Sequence, residues 1–219
     1  KAMDADANSN LGEALGIEVE RTVGGAREDF HEQQGRIPPG MTREACLEIR
    51  LNDSVEEGED VDMIAMGRPE GPGCYCHANN ILRGYVERLE GNYPWVVVDN
   101  EAGLEHLSRR TTRRPDVLLV VSDHSRRGME AARRVRDLAG DLGLEAGKVL
   151  VVVNRVPAAG LDPLIAEHAS ACGLEIAATL PDDPEVERAD IEHRSVSTLP
   201  ADGPFMAAVR ALTGRLAGG

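Results

Sequence analysis

Residues 117–154 read VLLVVSDHSRRGMEAARRVRDLAGDLGLEAGKVLVVVN, and this stretch decides the fold. Two aliphatic runs, Val117 to Ser122 and Val149 to Asn154, flank a helical pattern over Ser125 to Leu142. The runs are continuous rather than alternating, which is what a parallel strand covered on both faces requires. Parallel neighbours cannot be joined by a hairpin, so the intervening helix is the crossover of a right-handed βαβ unit.

Working outward, Val61 to Met66, Trp95 to Asp99 and Glu175 to Leu180 read as further strands. His77 to Glu90, Asp162 to Ala171 and Pro204 to Leu216 read as further helices. The alternation implies an α/β fold, a doubly wound and mostly parallel sheet with helices on both faces. One domain is expected over 1–219, because no low-complexity segment divides the chain. The segment Gly12 to Ser54 is less regular, with a helical piece at Glu44 to Leu51 and a turn at Pro38-Pro39-Gly40. It reads as a helical connection, with a partner-docking insertion as the alternative.

Composition narrows the function classes. Aromatic residues make up only 3% of the chain, so the core must be aliphatic, as in layered α/β proteins. A net charge of −14 opposes nucleic-acid phosphates and anionic membrane surfaces, so neither is expected as a partner. No apolar run approaches the ~20 residues of a membrane span, and a cytoplasmic protein with reduced thiols is expected. Cys46 and Cys172 lie in apolar helical contexts and read as packing residues. His31, His106, His124, His168 and His193 show no metal-ligand spacing, and His77 reads as the start of a helix.

Ligands of doubly wound sheets sit at the carboxyl ends of the strands. That directs attention to Gly67–Cys76, Asp99–Ser108, Ser122–Arg126, Asn154–Pro157 and Pro181–Pro184. Asp4 and Asp6 stand two apart at the end of a strand-like opening, where an extended chain would aim both carboxylates the same way, roughly 6.6 Å apart. That spacing suits magnesium and water positioning; an Asx-rich turn closing the strand is the plainer account. Asp99 ends a second strand, and Gly103 follows closely enough to bring a backbone N–H to a phosphate. Asn154 ends a third strand with an amide able to read one edge of a base, and Leu180, Pro181 and Asp183 form the exit beside it.

The sharpest local feature is Gly71-Pro72-Gly73-Cys74-Tyr75-Cys76-His77. In extended chain the side chains of Cys74 and Cys76 share one face, and modest rotation brings both sulfurs to one metal. Two sulfurs are half a site, and a two-fold dimer would complete it with an identical pair. A packing pair or a redox pair are the competing readings. Nickel and zinc are not separable from these ligands alone.

The chain opens Lys1-Ala2-Met3-Asp4-Ala5-Asp6, like the tail of a strand with its acidic loop. The expectation is that a strand, a Gly-rich phosphate loop with its lysine, and a helix precede it. Lys148 cannot substitute, since Leu142 and Val149 stand where such a loop needs Gly and Ser or Thr.

The run Asp99-Asn100-Glu101-Ala102-Gly103-Leu104-Glu105-His106-Leu107-Ser108-Arg109-Arg110-Thr111, with Gly-Cys-Tyr-Cys and the opening Asp-Ala-Asp, resembles the CooC-type ATPases of the MinD-like P-loop NTPases, which insert nickel into carbon monoxide dehydrogenase. The resemblance implies ATP and Mg2+ as cofactors, a switch I at Asp4 to Asn10 with Asp6 orienting the attacking water, and a switch II from Asp99. It implies adenine contacts from Asn154, Leu180, Pro181 and Asp183. It further implies an ATP-promoted homodimer holding Ni2+ (or Zn2+) between Cys74 and Cys76 of two subunits, with the apo-dehydrogenase as client. Acetyl-CoA synthase is an alternative client. Without a phosphate loop, the 219 residues are expected to bind ATP poorly and to be inactive as an ATPase. The alternatives are a MinD- or ParA-type positioning ATPase, disfavoured by a last helix with only Arg210 and Arg215, and a non-hydrolytic nickel- or zinc-binding module.

Overall fold

A computed structural model describes residues 1–6, 10–32, 37–67, 93–100 and 114–218. They belong to two compact units, Lys1–Thr112 and Arg113–Gly219. In the first, strand β1 (Ala2–Asp4) is followed by helices α1 (Leu11–Leu15), α2 (Val23–Glu32) and α3 (Arg43–Asn52). Strands β2 (Val55–Glu56), β3 (Met63–Ala65) and β4 (Val97–Asp99) complete a sheet of order β2-β3-β1-β4. β1 is parallel to both β3 and β4, and β2 is an antiparallel edge. Because β1 is hydrogen-bonded on both sides, its three residues are fully interior, with Met3 at 0% exposure. Met3, Ile64, Met66, Val23 and Leu51 make the core, an aliphatic and thioether packing as the scarcity of aromatics requires.

The second unit runs β5 (Val117–Asp123), α4 (Arg126–Asp141), β6 (Lys148–Val156), α5 (Pro163–Ala171), β7 (Ile176–Pro181), α6 (Pro184–Ile191), a 3-10 turn at Val196–Thr198, and α7 (Pro204–Ala217). Its sheet is β5-β6-β7, all parallel. β6 is central: Val151 and Val153 pack with Met129 and Ala132 of α4 and Ala169 of α5, while Leu150 and Val152 on its other side are buried too. That is the two-faced burial inferred from the unbroken valine run. The edge strands differ, for Val121 of β5 and Val97 of β4 are exposed.

Helix starts in this unit follow local chemistry. Ser125 caps α4 by accepting the N–H of Gly128, and Asp162 and Asp183 cap α5 and α6, whose first residues, Pro163 and Pro184, have no N–H to satisfy. The expected helix over Asp162 to Ala171 therefore begins one residue later, with Asp162 as its cap. The expected strand at Val61 to Met66 is shorter, and β2, α1, α2 and α6 are additions to the expected elements. The expected helix at His77 to Glu90 lies outside the described residues. No helix among the described residues is long and apolar enough to cross a membrane.

Gly128 sits where α4 leaves β5. A Cβ there would meet the Asp123 carboxylate, lie 2.5 Å from Ser122 Oγ and fall 2.9 Å from the Asp123 carbonyl oxygen. Alanine is the better helix former, yet Gly128→Ala is expected to cost about 1–3 kcal/mol through this backbone clash. Urea unfolding of the variant checks it; equal or higher stability would contradict the steric argument.

Candidate functional site

The parallel register of the first unit sets Asp4 directly opposite Asp99, both at carboxyl ends of adjacent strands. Asp4 is wholly buried. A buried carboxylate needs donors, and it has two: the backbone N–H of Asp6 reaches Oδ1 at 3.0 Å and that of Leu11 reaches Oδ2 at 3.0 Å. The first of these bonds is an Asx turn, which bends the chain at Asp6 and leaves Asp6 the more exposed of the two acids. The second ties the start of α1 to the strand end. The extended pairing expected of Asp4 and Asp6 is thus replaced by a turn that Asp4 itself organises.

Electrostatics mark this corner. Burial pushes the Asp4 carboxyl above the ordinary aspartate value, the Leu11 and Asp6 N–H bonds pull it partly back, and the charge of Asp6 pushes it up again. Asp99 keeps a solvent-facing edge, yet its carboxyl is also raised, first by partial burial and then by the charges of Asp4 and Asp6; the N–H of Asn100 opposes the shift. Three carboxylates at one sheet end repel one another unless a cation or a proton intervenes. The donor set is therefore suited to a hard divalent cation, which prefers oxygen ligands and keeps several waters.

In the second unit Asn154 and the exit of β7 sit at the carboxyl ends of paired strands. Asn154 Oδ1 accepts the N–H of Arg155 at 2.9 Å, and Arg155 adopts φ +55, in the left-handed region that non-glycine residues avoid. The register between β6 and β7 slips between Val153 and Val156. Beyond the slip, the Asp182 N–H bonds to the Val156 carbonyl at 2.8 Å, and Arg155 Nε lies 3.6 Å from Asp182 Oδ1. Strain of this kind persists only where its surroundings enforce it, and it clusters at functional turns. Arg155 was not singled out from sequence, since an arginine after a strand carries no sign of its backbone angle. Leu180 and Pro181 end β7, both half-buried. The Asp183 carboxylate is engaged in the fold: Oδ1 accepts the Glu185 N–H at 3.0 Å and Oδ2 the Phe205 N–H at 3.4 Å, joining the starts of α6 and α7. Cys74, Cys76 and Gly103 lie outside the described residues.

A carboxyl whose pKa is higher in the folded than in the unfolded chain contributes stability below its unfolded value, and loses that contribution as pH climbs through the folded value. Asp99→Asn, measured without divalent cations, is therefore expected to raise Tm at neutral pH, with the gain vanishing below about pH 4, where aspartates are protonated in both states. Asp4→Asn is expected to do the reverse, because an amide retains one accepting oxygen where two N–H donors need two. It should cost about 1–3 kcal/mol. Thermal melts of both variants across pH check the contrast, and a neutral-pH gain for Asp4→Asn would overturn the assigned role of its two oxygens.

No family model matches the chain. It is similar to an uncharacterized ATP-binding protein of Methanocaldococcus jannaschii, with 42% identity over 200 residues, 90% of this chain and 79% of that protein. It is also similar to the carbon monoxide dehydrogenase accessory protein CooC of Rhodospirillum rubrum, 27% identical over 155 residues, 66% of this chain and 59% of that one. Among solved structures, the MinC:MinD cell division protein complex of Aquifex aeolicus superposes with a TM-score of 0.70 at 19% identity, over 100% of this chain and 82% of that one. That likeness gives the fold, parallel sheet with helices on both faces. With 42% identity over nine-tenths of its length, the chain belongs to the same family as this ATP-binding protein of Methanocaldococcus jannaschii, and it carries the MinD-like fold.

Proposed function

We propose that this protein is a cytoplasmic ATPase that inserts nickel into carbon monoxide dehydrogenase, coupling ATP hydrolysis to release of a metal held at a dimer interface. The observation that carries the reading is the convergence of Asp4, Asp6 and Asp99 at the carboxyl ends of β1 and β4. The ATP-binding description of the Methanocaldococcus relative and the accessory role in the name of the Rhodospirillum relative support it.

The residues divide the work by their surroundings. Asp4, spent on two N–H bonds, keeps the acidic loop in place. Asp6, more exposed and placed by the turn, orients the attacking water as general base. Asp99 is suited to hold magnesium through a bound water, and the ion supplies neutralisation of phosphate charge. Gly103 offers a backbone N–H to the terminal phosphate. Asn154, with Leu180, Pro181 and Asp183, receives the adenine, Asp183 acting through the turn that its capped helices fix. Cys74 and Cys76 of two subunits provide four thiolates to the nickel cargo in an ATP-promoted dimer, and the apo-dehydrogenase is the client.

A positioning ATPase bound to membrane or DNA is less well supported. It needs a free basic surface, and Arg215 of the last helix is occupied by Glu175 at 2.5 Å and by the Ala177 carbonyl at 2.9 Å.

The test is nickel titration of the full-length gene product with ATP, ADP or no nucleotide, beside the Cys74→Ser/Cys76→Ser variant. About one nickel per two chains is expected with ATP, lost in the variant, with Asp6→Asn slowing hydrolysis by at least 100-fold as expected for removal of a general base. Nickel uptake indifferent to nucleotide would favour a storage module, and unchanged affinity in the double variant would remove the proposal.

A further inference from the structure

We propose that Glu130, His168 and Cys172 form a mononuclear site for zinc, or an equally borderline-soft divalent cation, between α4 and α5 in the second unit. His168 and Cys172 are four residues apart at the end of α5, so they share one helix side. Glu130 comes from the first turns of α4, brought alongside by the packing of Met129 and Ala132 near Ala169. The three donor atoms lie within 4.8 Å of one another. His168 Nε2 is 3.1 Å from Glu130 Oε1 and 3.8 Å from Cys172 Sγ.

Those two separations approach edges of a coordination tetrahedron. With zinc bonded at about 2.0–2.2 Å to nitrogen and oxygen and about 2.3 Å to sulfur, tetrahedral angles give edges of roughly 3.3 Å for N···O and 3.6 Å for N···S. The observed distances differ from these by a few tenths of an ångström, within the reach of small rotations. One atom, Nε2, faces both other donors, so an ion replaces the proton that would otherwise bridge histidine and carboxylate. Three protein ligands leave a fourth position for water or an external ligand. Mixed sulfur, nitrogen and oxygen donors exclude a preference for magnesium or calcium, which take oxygen.

The surroundings hold the donors in place. Arg133 Nε bonds to Glu130 Oε2 at 3.2 Å, which leaves Oε1 for the site, and Arg133 is itself held by Asp137 at 2.8 Å. Arg136 Nη1 bonds to the carbonyls of Cys172 and Gly173 at 2.6 and 3.0 Å, fixing the helix end that carries the thiol. The His168 side chain is 19% exposed and that of Glu130 38%, so the site is sheltered but open to ions. Binding releases the thiol proton to solvent and takes His168 as the neutral imidazole. Carboxylate and thiolate then balance the dication. An ion pair beside a packed thiol is the plainer account of the same residues, and it predicts no metal affinity.

The experiment uses the full-length protein carrying Cys74→Ser/Cys76→Ser, so that its failure and that of the nickel reading are separate results. Cobalt is added first and zinc then displaces it. The expected result is one cobalt per chain with a thiolate-to-cobalt charge-transfer band and the visible bands of tetrahedral geometry. Adding Cys172→Ser should abolish the charge-transfer band and weaken zinc binding by roughly tenfold or more. Glu130→Gln should weaken binding while keeping the band, and it serves as the deciding variant should circular dichroism find Cys172→Ser unfolded. Absence of the band with Cys172 present, or zinc affinity unchanged in both variants, overturns the site.

Discussion

A strand covered on both faces has no place for a polar side chain except where it ends, and this constraint organises both units. β6 buries Leu150 through Val153 in succession and meets its first amide at Asn154. β1 buries Ala2 and Met3 and stops at Asp4, and β4 stops at Asp99. The chemistry is displaced to the carboxyl ends because the aliphatic runs leave it nowhere else. Among the described residues Asp4 is the one fully buried carboxylate, and its need for donors is met locally by the N–H groups of Asp6 and Leu11.

Much of this was legible in the residues because burial and periodicity are local signals. The run Val117 to Ser122 became Val117–Asp123, and Val149 to Asn154 extended to Lys148–Val156, the extension absorbed by a bulge that hydrophobicity does not announce. β2 is two residues long and was not readable at all, since it is defined by pairing with β3 rather than by composition. α6 was hidden in what looked like a simple strand exit; its start depends on Asp183 acting as a cap, and a single aspartate before proline does not say whether it caps or contacts a ligand.

Site residues divide in the same way. Asp4 and Asp99 could be matched from sequence because strand ends in one parallel sheet converge. The turn made by Asp4 was one of two readings of the same spacing, and only the bend at Asp6 separates them. The left-handed Arg155 had no signal. Glu130, His168 and Cys172 escaped because Cys172 reads as a packing residue and the third ligand stands on another helix; the four-residue interval from His168 to Cys172 was the available clue.

The two polar clusters use opposite means to hold like or unlike groups together. In the second unit Arg133 and Arg136 stand beside Glu130 and the helix end of Cys172, so every anion there has a cation or donor in contact. In the first unit the charge of Asp6 acts on both Asp4 and Asp99, and backbone N–H groups of Asp6, Leu11 and Asn100 oppose the rise of those two carboxyls. An arrangement that raises its own carboxyls is uphill in isolation, and a ligand carrying a cation gains the relieved repulsion as part of its binding free energy.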